Sequence, residues 1–192
     1  MITLQLLCLA IVAIYVAARA WLLRRAASPV APFLARFLVL AIAAAIGEDT
    51  MIRFYGTYAY AAGWSAFVDR VPLVVVLVWP VVIDSAAVLA RELAAPRWVP
   101  LVAAWIVLAD ASLIEPIAVH ARLWSWTDEG VFHVPLVGIA GWAMFTFAAT
   151  WCLASFARVA ALLTIVVAPI ATHALVLVSW WMLFRWTRGA IS

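Results

Sequence analysis

Two glutamates inside apolar stretches are each followed, about ten residues later, by a pair of aromatic residues. The two sets are Glu48 with Tyr58 and Tyr60, and Glu115 with Trp124 and Trp126, at ten and nine residues from glutamate to first aromatic. A buried carboxyl group can stay protonated near neutral pH and act as a general acid. With an alkene as substrate, protonation gives a tertiary carbocation, which aromatic faces stabilise. Water oriented by a second carboxylate would capture that cation as an alcohol.

Both aromatic pairs lead to the same downstream pattern. The tetrapeptide Val-Pro-Leu-Val follows at 71–74 and at 134–137, and a tryptophan, Trp79 or Trp142, lies five residues after its last valine. Carboxylate, aromatic pair, tetrapeptide and tryptophan therefore recur in one order. This order predicts an internal repeat of two-helix units with the same orientation. The two loops are then expected on one face of the membrane, with Glu48 and Glu115 approaching a shared site from opposite halves.

From this pattern we predict a site of carboxylates surrounded by aromatic rings. The predicted catalytic residues are Glu48 and Glu115, as acid and base in an order left open, with Asp49 and Asp110 in support. The predicted substrate-binding residues are Tyr58, Tyr60, Trp79, Trp124, Trp126, Trp142, Asp84, His120 and His133. Charged groups inside a membrane face the bundle interior and usually serve a function.

A purely structural explanation stands beside the functional one for several of these polar residues. Asp84 or Asp110 could pair with an arginine, and His173 could bond a carbonyl freed by Pro169. Interfacial anchoring is an equally ordinary use of the loop tryptophans and tyrosines. For Glu48 and Glu115 we favour function, because each has the same place in the repeat. Pro116, directly after Glu115, is expected to break the helix there and turn the carboxyl group towards a cavity.

The composition is that of an integral membrane protein. Of the 192 residues, 70% are hydrophobic and 11% are charged, against about a quarter charged in soluble domains. Apolar runs long enough to cross a bilayer predict an all-α polytopic bundle forming a single transmembrane domain over 1–192. The six predicted helices cover about 2–23, 30–47, 71–92, 98–119, 134–156 and 159–184. We expect the protein in the cytoplasmic membrane of a bacterium or archaeon.

Charge and cysteine usage exclude several classes of function. The net charge is +3, there is no lysine, and most arginines lie at predicted helix ends, where they act as interfacial anchors. Nucleic acid is therefore not an expected partner. The two cysteines and three histidines form no metal-binding pattern, and no motif for a phosphate or nucleotide occurs, so neither a metal nor a cofactor is expected. Orientation and oligomeric state stay open.

The motifs resemble those of a family of integral membrane proteins of carotenoid biosynthesis. This family includes bisanhydrobacterioruberin hydratase and carotenoid 1,2-hydratase-like enzymes. The resemblance covers about residues 48 to 142. The residues that carry it are an early acidic residue, the Gly-x-Tyr-x-Tyr loop that follows it at 56–60, Val71-Pro72, Asp110, Glu115-Pro116, Trp124-x-Trp126, Gly130, Phe132, Val134-Pro135-Leu136 and Gly141-Trp142. The chain departs from the family pattern at His133, where glycine is usual, and at Val137 and Gly138, where asparagine follows the leucine.

The resemblance implies a polytopic enzyme that hydrates a terminal double bond of a linear carotenoid or related isoprenoid without a cofactor. A carotenoid cyclase of the lycopene-cyclase type remains open, since protonation of the same alkene followed by internal capture closes a ring. A transporter, a lipid-binding protein or an assembly subunit also remains open, because kinked helices and buried acids suit these as well. The expected partners are membrane lipid and a hydrophobic isoprenoid.

Overall fold

A computed structural model describes residues 1–127, 130–156, 167, 168, 170–175, 178, 181, 182 and 185. Five long helices dominate this part of the chain. They are α1 (Ile2–Arg25), α2 (Ala31–Thr50), α3 (Leu73–Leu93), α4 (Val99–His120) and α5 (Leu136–Phe156). Each is long and apolar enough to cross a membrane. The protein is thus an all-α polytopic membrane bundle, as the composition predicts.

These five helices lie within a few residues of the positions predicted for the first five spans. Most of the sixth predicted helix, 159–184, lies outside the described residues, and within it residues 170–175 are helical. Inside a bilayer no water is available for the backbone N–H and C=O groups, so an apolar segment that crosses it has to be helical. A long apolar run in the sequence therefore predicts the position of a helix well.

The end of α2 differs from its prediction. The helix continues past 47 to Thr50 and then through a π-helical turn at Met51–Tyr55, so Glu48 lies inside the last helical turns. Asp49 and Arg53 form an i,i+4 ion pair with 2.6 Å between Oδ2 and Nε, which supports the helical course through this polar stretch. Gly56, with a φ of 56°, then ends it in the left-handed region.

Val-Pro-Leu-Val also occurs at 99–102, and the prolines of the three copies lie in different places. Pro100 lies in the first turn of α4, where its missing N–H costs no hydrogen bond. The prediction for the other two copies is wrong by two residues: α3 begins at Leu73 and α5 at Leu136. Pro72 has an extended backbone, with a ψ of 131°, and belongs to a strand pair that stops the chain from starting the helix earlier.

Pro116 does not break α4, and this prediction is also wrong. The helix runs through it to His120. A proline in a helix interior removes one backbone hydrogen bond, to the carbonyl four residues earlier, while the bonds on either side persist. Tertiary packing within an apolar medium holds the flanking turns in place. The helix α3 continues through Pro80 in the same way.

Short strands fold the loops at one end of the bundle. The strand β1 (Tyr58–Tyr60), from the α2–α3 loop, pairs antiparallel with β4 (Trp124–Trp126), from the α4–α5 loop. Tyr58 lies opposite Trp126, and Tyr60 lies opposite Trp124. We call this strand pair the ribbon. A small hairpin, β2 (Phe67–Val68) with β3 (Val71–Pro72), leads into α3.

Helices α2 to α5 form the packed body, and α1 lies at its edge. The largest buried cluster joins α2, α3 and α5 beneath the ribbon and includes Trp79 and Phe145. Most of α1 is exposed, and its contacts run along α3. Polar groups hold it: the Gln5 side chain bonds Gly63 and Ser65, and the Asp84 carboxylate accepts bonds from Tyr15 and Arg19.

Candidate active site

A cavity of about 310 Å³ lies under the ribbon, between the ends of the helices that the two loops connect. Its walls are mainly apolar and aromatic. Both Glu48 and Glu115 line it, so the two glutamates of the pattern reach one cavity from different helix pairs. The aromatic residues in its walls are Tyr58, Tyr60, Trp64, Trp79, Trp124, Trp126, Trp142 and Phe145.

Glu115 is buried, with 3% of its surface exposed, and is bound by three indole N–H groups. Trp124 and Trp126 donate to Oε2 at 2.9 and 3.1 Å, and Trp142 donates to Oε1 at 2.7 Å. Two of these donors come from the ribbon and one from α5. No cation pairs with this carboxylate among the described residues. The bonds fix its orientation and leave part of its acceptor capacity free for a ligand or a proton.

Glu48 has the corresponding arrangement in the other helix pair. Trp79 donates its indole N–H to Oε1 at 2.8 Å, and the Tyr60 hydroxyl donates to Oε2 at 3.2 Å. Here one donor comes from α3 and one from the ribbon. Glu48 therefore has two aromatic donors where Glu115 has three.

The aromatic rings pack against one another across the two helix pairs. Trp79 and Trp142 lie with ring centroids 4.7 Å apart, and Tyr58 and Trp126 also 4.7 Å apart. Tyr60 meets the edge of Trp124 at 5.9 Å. Such rings present electron-rich faces, which attract a positive charge formed nearby. The cavity thus combines acids with a surface suited to a cation.

The Tyr60 hydroxyl is held in its neutral form. Burial raises the pKa of this hydroxyl well above its usual value, and the neighbouring Glu48 and Glu115 carboxylates raise it further. Because deprotonation is disfavoured, Tyr60 remains a hydrogen-bond donor to Glu48 at physiological pH and is not suited to act as a base.

A glycine makes room for the ribbon over α5. A Cβ atom at Gly138 would lie 2.6 Å from Cζ2 of Trp126, closer than real side-chain contacts. Only glycine lets this indole lie against the first turns of α5 and still reach Glu115. The position therefore supports the geometry of the carboxylate from a distance.

Five of the predicted site residues do not line the cavity. Asp84 lies deeper in the bundle, where Arg19 Nε is 3.1 Å from its Oδ2. Asp49 faces Arg53 at the bundle end. Asp110, His120 and His133 are exposed. For Asp84 the arrangement matches the structural alternative of an ion pair. No group of three or more His, Cys, Asp or Glu residues able to hold a metal lies in the described part of the chain.

Many cavity residues were missed by the sequence analysis, and Trp64, Leu4 and Cys8 are three of them. Trp64 is buried and donates its indole N–H to the carbonyl of Leu123, joining the first loop to the second. Its place between the Tyr-x-Tyr pair and Val71 was a usable signal. Leu4 and Cys8 of α1 also line the cavity. They carry no sequence signal, because an apolar side chain on a membrane helix looks the same whether it faces lipid or a ligand.

Comparison with known proteins gives one result. The family model described as "Carotenoid biosynthesis protein" matches residues 2–189, nearly the whole chain. No curated protein and no solved structure matches it.

Proposed function

The chain belongs to the carotenoid biosynthesis protein family, and from this premise we propose that it is an enzyme hydrating a terminal alkene of a linear carotenoid or related isoprenoid. The observation that carries the proposal is the pair of glutamates in one apolar cavity, each bound by aromatic N–H or O–H groups. Hydration is redox-neutral, so a proton donor, a proton acceptor and a water molecule are sufficient for it.

In the proposed reaction, one protonated carboxyl group transfers its proton to the less substituted carbon of the terminal alkene. The C=C π bond breaks, a C–H bond forms, and a tertiary carbocation remains beside a carboxylate. The aromatic faces around Trp79 and Trp142 stabilise this cation. The second carboxylate takes a proton from water as its oxygen bonds to the cation, which gives a tertiary alcohol. Return of that proton to the first glutamate restores the starting state.

We assign the proton donor to Glu48 and the base to Glu115. Hydrogen bonds donated to a carboxylate favour its charged form, and Glu115 has three donors where Glu48 has two. Repulsion between two nearby negative charges further favours a state in which a single proton is shared between the pair. The Glu115 carboxylate accepts more hydrogen bonds than the Glu48 carboxylate. Glu115 is therefore the group suited to orient and deprotonate water.

We further propose that α2–α3 and α4–α5 are two copies of one helix-loop-helix unit, related by a twofold axis through the ribbon. The twofold axis would relate the pair Tyr58–Trp126 to the pair Trp124–Tyr60. The equivalent residues Trp79 and Trp142 meet each other. The backbone repeats as well. Gly56 and Arg122 both have a φ of 56°, two residues before their strands. The bridge between Val131 and Val134 corresponds to that between Val68 and Val71.

Expression in bacterial cells that accumulate lycopene tests the activity. The expected product is a lycopene derivative heavier by one water, detected by chromatography with mass spectrometry. Glu48→Gln and Glu115→Gln should slow product formation by about 10²–10⁴-fold. The matched control is Glu92→Gln, which changes an exposed acid at the end of α3. An unchanged pigment profile across lycopene and its more saturated linear precursors contradicts the proposed hydration.

A cyclase is the second candidate, and the apolar cavity wall favours it. Apart from the two glutamates, the polar groups lining the described cavity are aromatic hydroxyl and indole groups and the Cys8 thiol, with no serine, threonine or amide to hold a water molecule. A cation formed in a dry cavity would be captured by a second double bond of the same chain. The product's mass separates the two reactions, since cyclisation leaves it unchanged.

A carrier or binding protein without catalytic activity is the remaining alternative. Glu115→Gln separates it from an enzyme. An enzyme variant should still bind the polyene, seen as quenching of tryptophan fluorescence, while losing product. A proton-coupled carrier should instead lose pH-dependent transport, and a protein in which Glu115 is only structural should lose thermal stability.

A further inference from the structure

Between α1 and α4, part of the cavity wall also faces the outer surface of the bundle. Leu4 and Cys8 line it from α1, and Ile114 and Ile117 line it from α4. Ile114 and Ile117 are also exposed at the bundle surface, at 39% and 66%. The same side chains therefore belong to both the inner wall and the outer, lipid-facing surface. We call these four residues the lateral mouth.

Helix packing explains why the wall is open there. The contacts of α1 with the other described helices run along α3 rather than α4. Its polar attachments are Gln5 to the first loop and Tyr15 and Arg19 to Asp84 on α3. Leu4 and Cys8 lie beside and between these attachments, on the inward stripe of α1. The gap towards α4 is thus bounded by apolar side chains on two helices that do not pack together along their length.

The size of the cavity indicates what must pass through this gap. Ligand pockets that enclose a drug-sized molecule measure about 300–1,000 Å³, and this one, at about 310 Å³, lies at the lower limit. It accommodates the end group of a long isoprenoid but not the entire chain. The remainder must lie outside, and a hydrocarbon is stable outside only where the surroundings are apolar. At the level of the lateral mouth, within two membrane-spanning helices, the surroundings are lipid tails.

We propose that the hydrocarbon tail of the substrate leaves the cavity through the lateral mouth and lies in the bilayer. The protein then recognises a terminal alkene unit and does not measure the length of the chain behind it. The substrate class is accordingly linear isoprenoids that share an end group and differ in length. This inference rests on the proposed function for the identity of the ligand, whereas the path of the tail rests on the lateral mouth alone.

Cys8 provides a native probe of the path. The chain has two cysteines, and the other, Cys152, is buried at 1% exposure. In Cys152→Ala protein reconstituted in lipid nanodiscs, Cys8 is the single thiol. Its reaction with N-ethylmaleimide, under mildly alkaline conditions that enlarge the thiolate population, would be followed by mass spectrometry with and without lycopene in the lipid. Labelling should slow about tenfold when lycopene occupies about nine-tenths of the protein, because only the free fraction reacts.

Tryptophan substitutions at the lateral mouth test the same path by activity. Cys8→Trp and Ile117→Trp narrow the gap and should lower turnover of lycopene at least tenfold, with a short alkene of the same end group, such as myrcene, much less affected. The matched controls are Leu7→Trp and Leu113→Trp. These residues are exposed at 58% and 68% on the same two helices but do not line the cavity. Equal losses for the long and short substrates would contradict the path.

The labelling experiment keeps the path distinct from the chemistry. Protection of Cys8 by lycopene without any product supports the lateral mouth and contradicts the proposed hydration. Quenching of tryptophan fluorescence by lycopene with unchanged Cys8 labelling overturns the lateral mouth and leaves the hydration standing. Absence of both quenching and protection overturns both proposals, since no polyene then enters the cavity.

Discussion

Asp84 and Glu115 are acids in neighbouring helices, α3 and α4, yet their partners differ in kind. Asp84 accepts bonds from Tyr15 at 2.7 Å and from the Arg19 guanidinium at 3.1 Å. Glu115 accepts three bonds from neutral indoles and has no cation beside it among the described residues. A paired cation neutralises an acid permanently. Neutral donors orient the carboxyl group and leave its charge free to change.

The difference separates a structural acid from one suited to chemistry. An ion pair in a membrane bundle compensates the cost of burying each charge, and it locks α1 against α3. A carboxyl group held by indoles can take up or release a proton without breaking a charge pair, as an acid or base must in each turnover. Glu48, held by Trp79 and Tyr60, is of the second kind.

The largest expected effect is on turnover after loss of either cavity acid. Glu48→Gln and Glu115→Gln should each lower turnover by about 10²–10⁴-fold, the usual contribution of a positioned acid or base, because the amide cannot exchange a proton with substrate. Glutamine keeps the size of the side chain, so thermal unfolding should change little. Product formation and a thermal shift assay in detergent measure the two quantities. Asp84→Asn is the control, and a comparable loss of turnover there would break the distinction between the two kinds of acid.

The second largest expected effect is a loss of stability when the ion pair between Arg19 and Asp84 is broken. Arg19→Ala removes the cation and leaves Asp84 with the Tyr15 hydroxyl as its described partner. Breaking a partly buried pair in this way should cost roughly 1–3 kcal/mol in the free energy of unfolding, between the values for exposed and fully buried pairs. Turnover per folded molecule should persist. Arg24→Ala, in the exposed last turn of α1, should leave stability nearly unchanged, and an equal loss for both variants would contradict a specific role for the pair.

A third effect compares the two glutamates. Tyr60→Phe removes the one described donor to Oε2 of Glu48, whereas Trp126→Phe leaves Trp124 on Oε2 of Glu115. A bond to a charged group contributes about 1.5–3 kcal/mol, so Tyr60→Phe should lower turnover roughly tenfold or more, and Trp126→Phe less. Product formation by the two variants measures the difference, and an equal loss of turnover for both would contradict it.

The smallest expected effect concerns the fit between the ribbon and α5. Gly138→Ala places a methyl group against the Trp126 indole. Relief of that contact should displace the indole and destabilise the fold by about 1–3 kcal/mol, as overpacking does, with a severalfold loss of turnover. The matched control is Gly47→Ala, where a Cβ meets nothing within 4 Å. Stability there should rise slightly, because alanine favours a helix. Equal changes in stability and turnover for the two variants would contradict a role of Gly138 in positioning Glu115.

The sequence analysis anticipated the helices and most residues at the centre of the candidate site, but not every contact around them. Spans are predictable because a bilayer demands continuous apolar helices, and the recurrence of acid, aromatic pair and tryptophan identified the residues around Glu48 and Glu115. The ion pair of Asp84 could not be assigned, since several arginines were available as partners. The course of α4 through Pro116 depends on packing with its neighbours. The contribution of Leu4 and Cys8 depends on the rotation of α1, which an evenly apolar helix does not reveal.

The pairing of β1 with β4 also constrains how the protein is made. Tyr58 meets a strand partner 68 positions later in the chain, at Trp126. While the ribosome is still synthesising α3 and α4, the first loop has no partner, and Glu48 lies beside an incomplete wall. The site can close only after the α4–α5 loop has been made and lies on the same side of the membrane as the first loop. A truncated chain ending before Trp124 is therefore expected to insert its helices and yet hold no ligand.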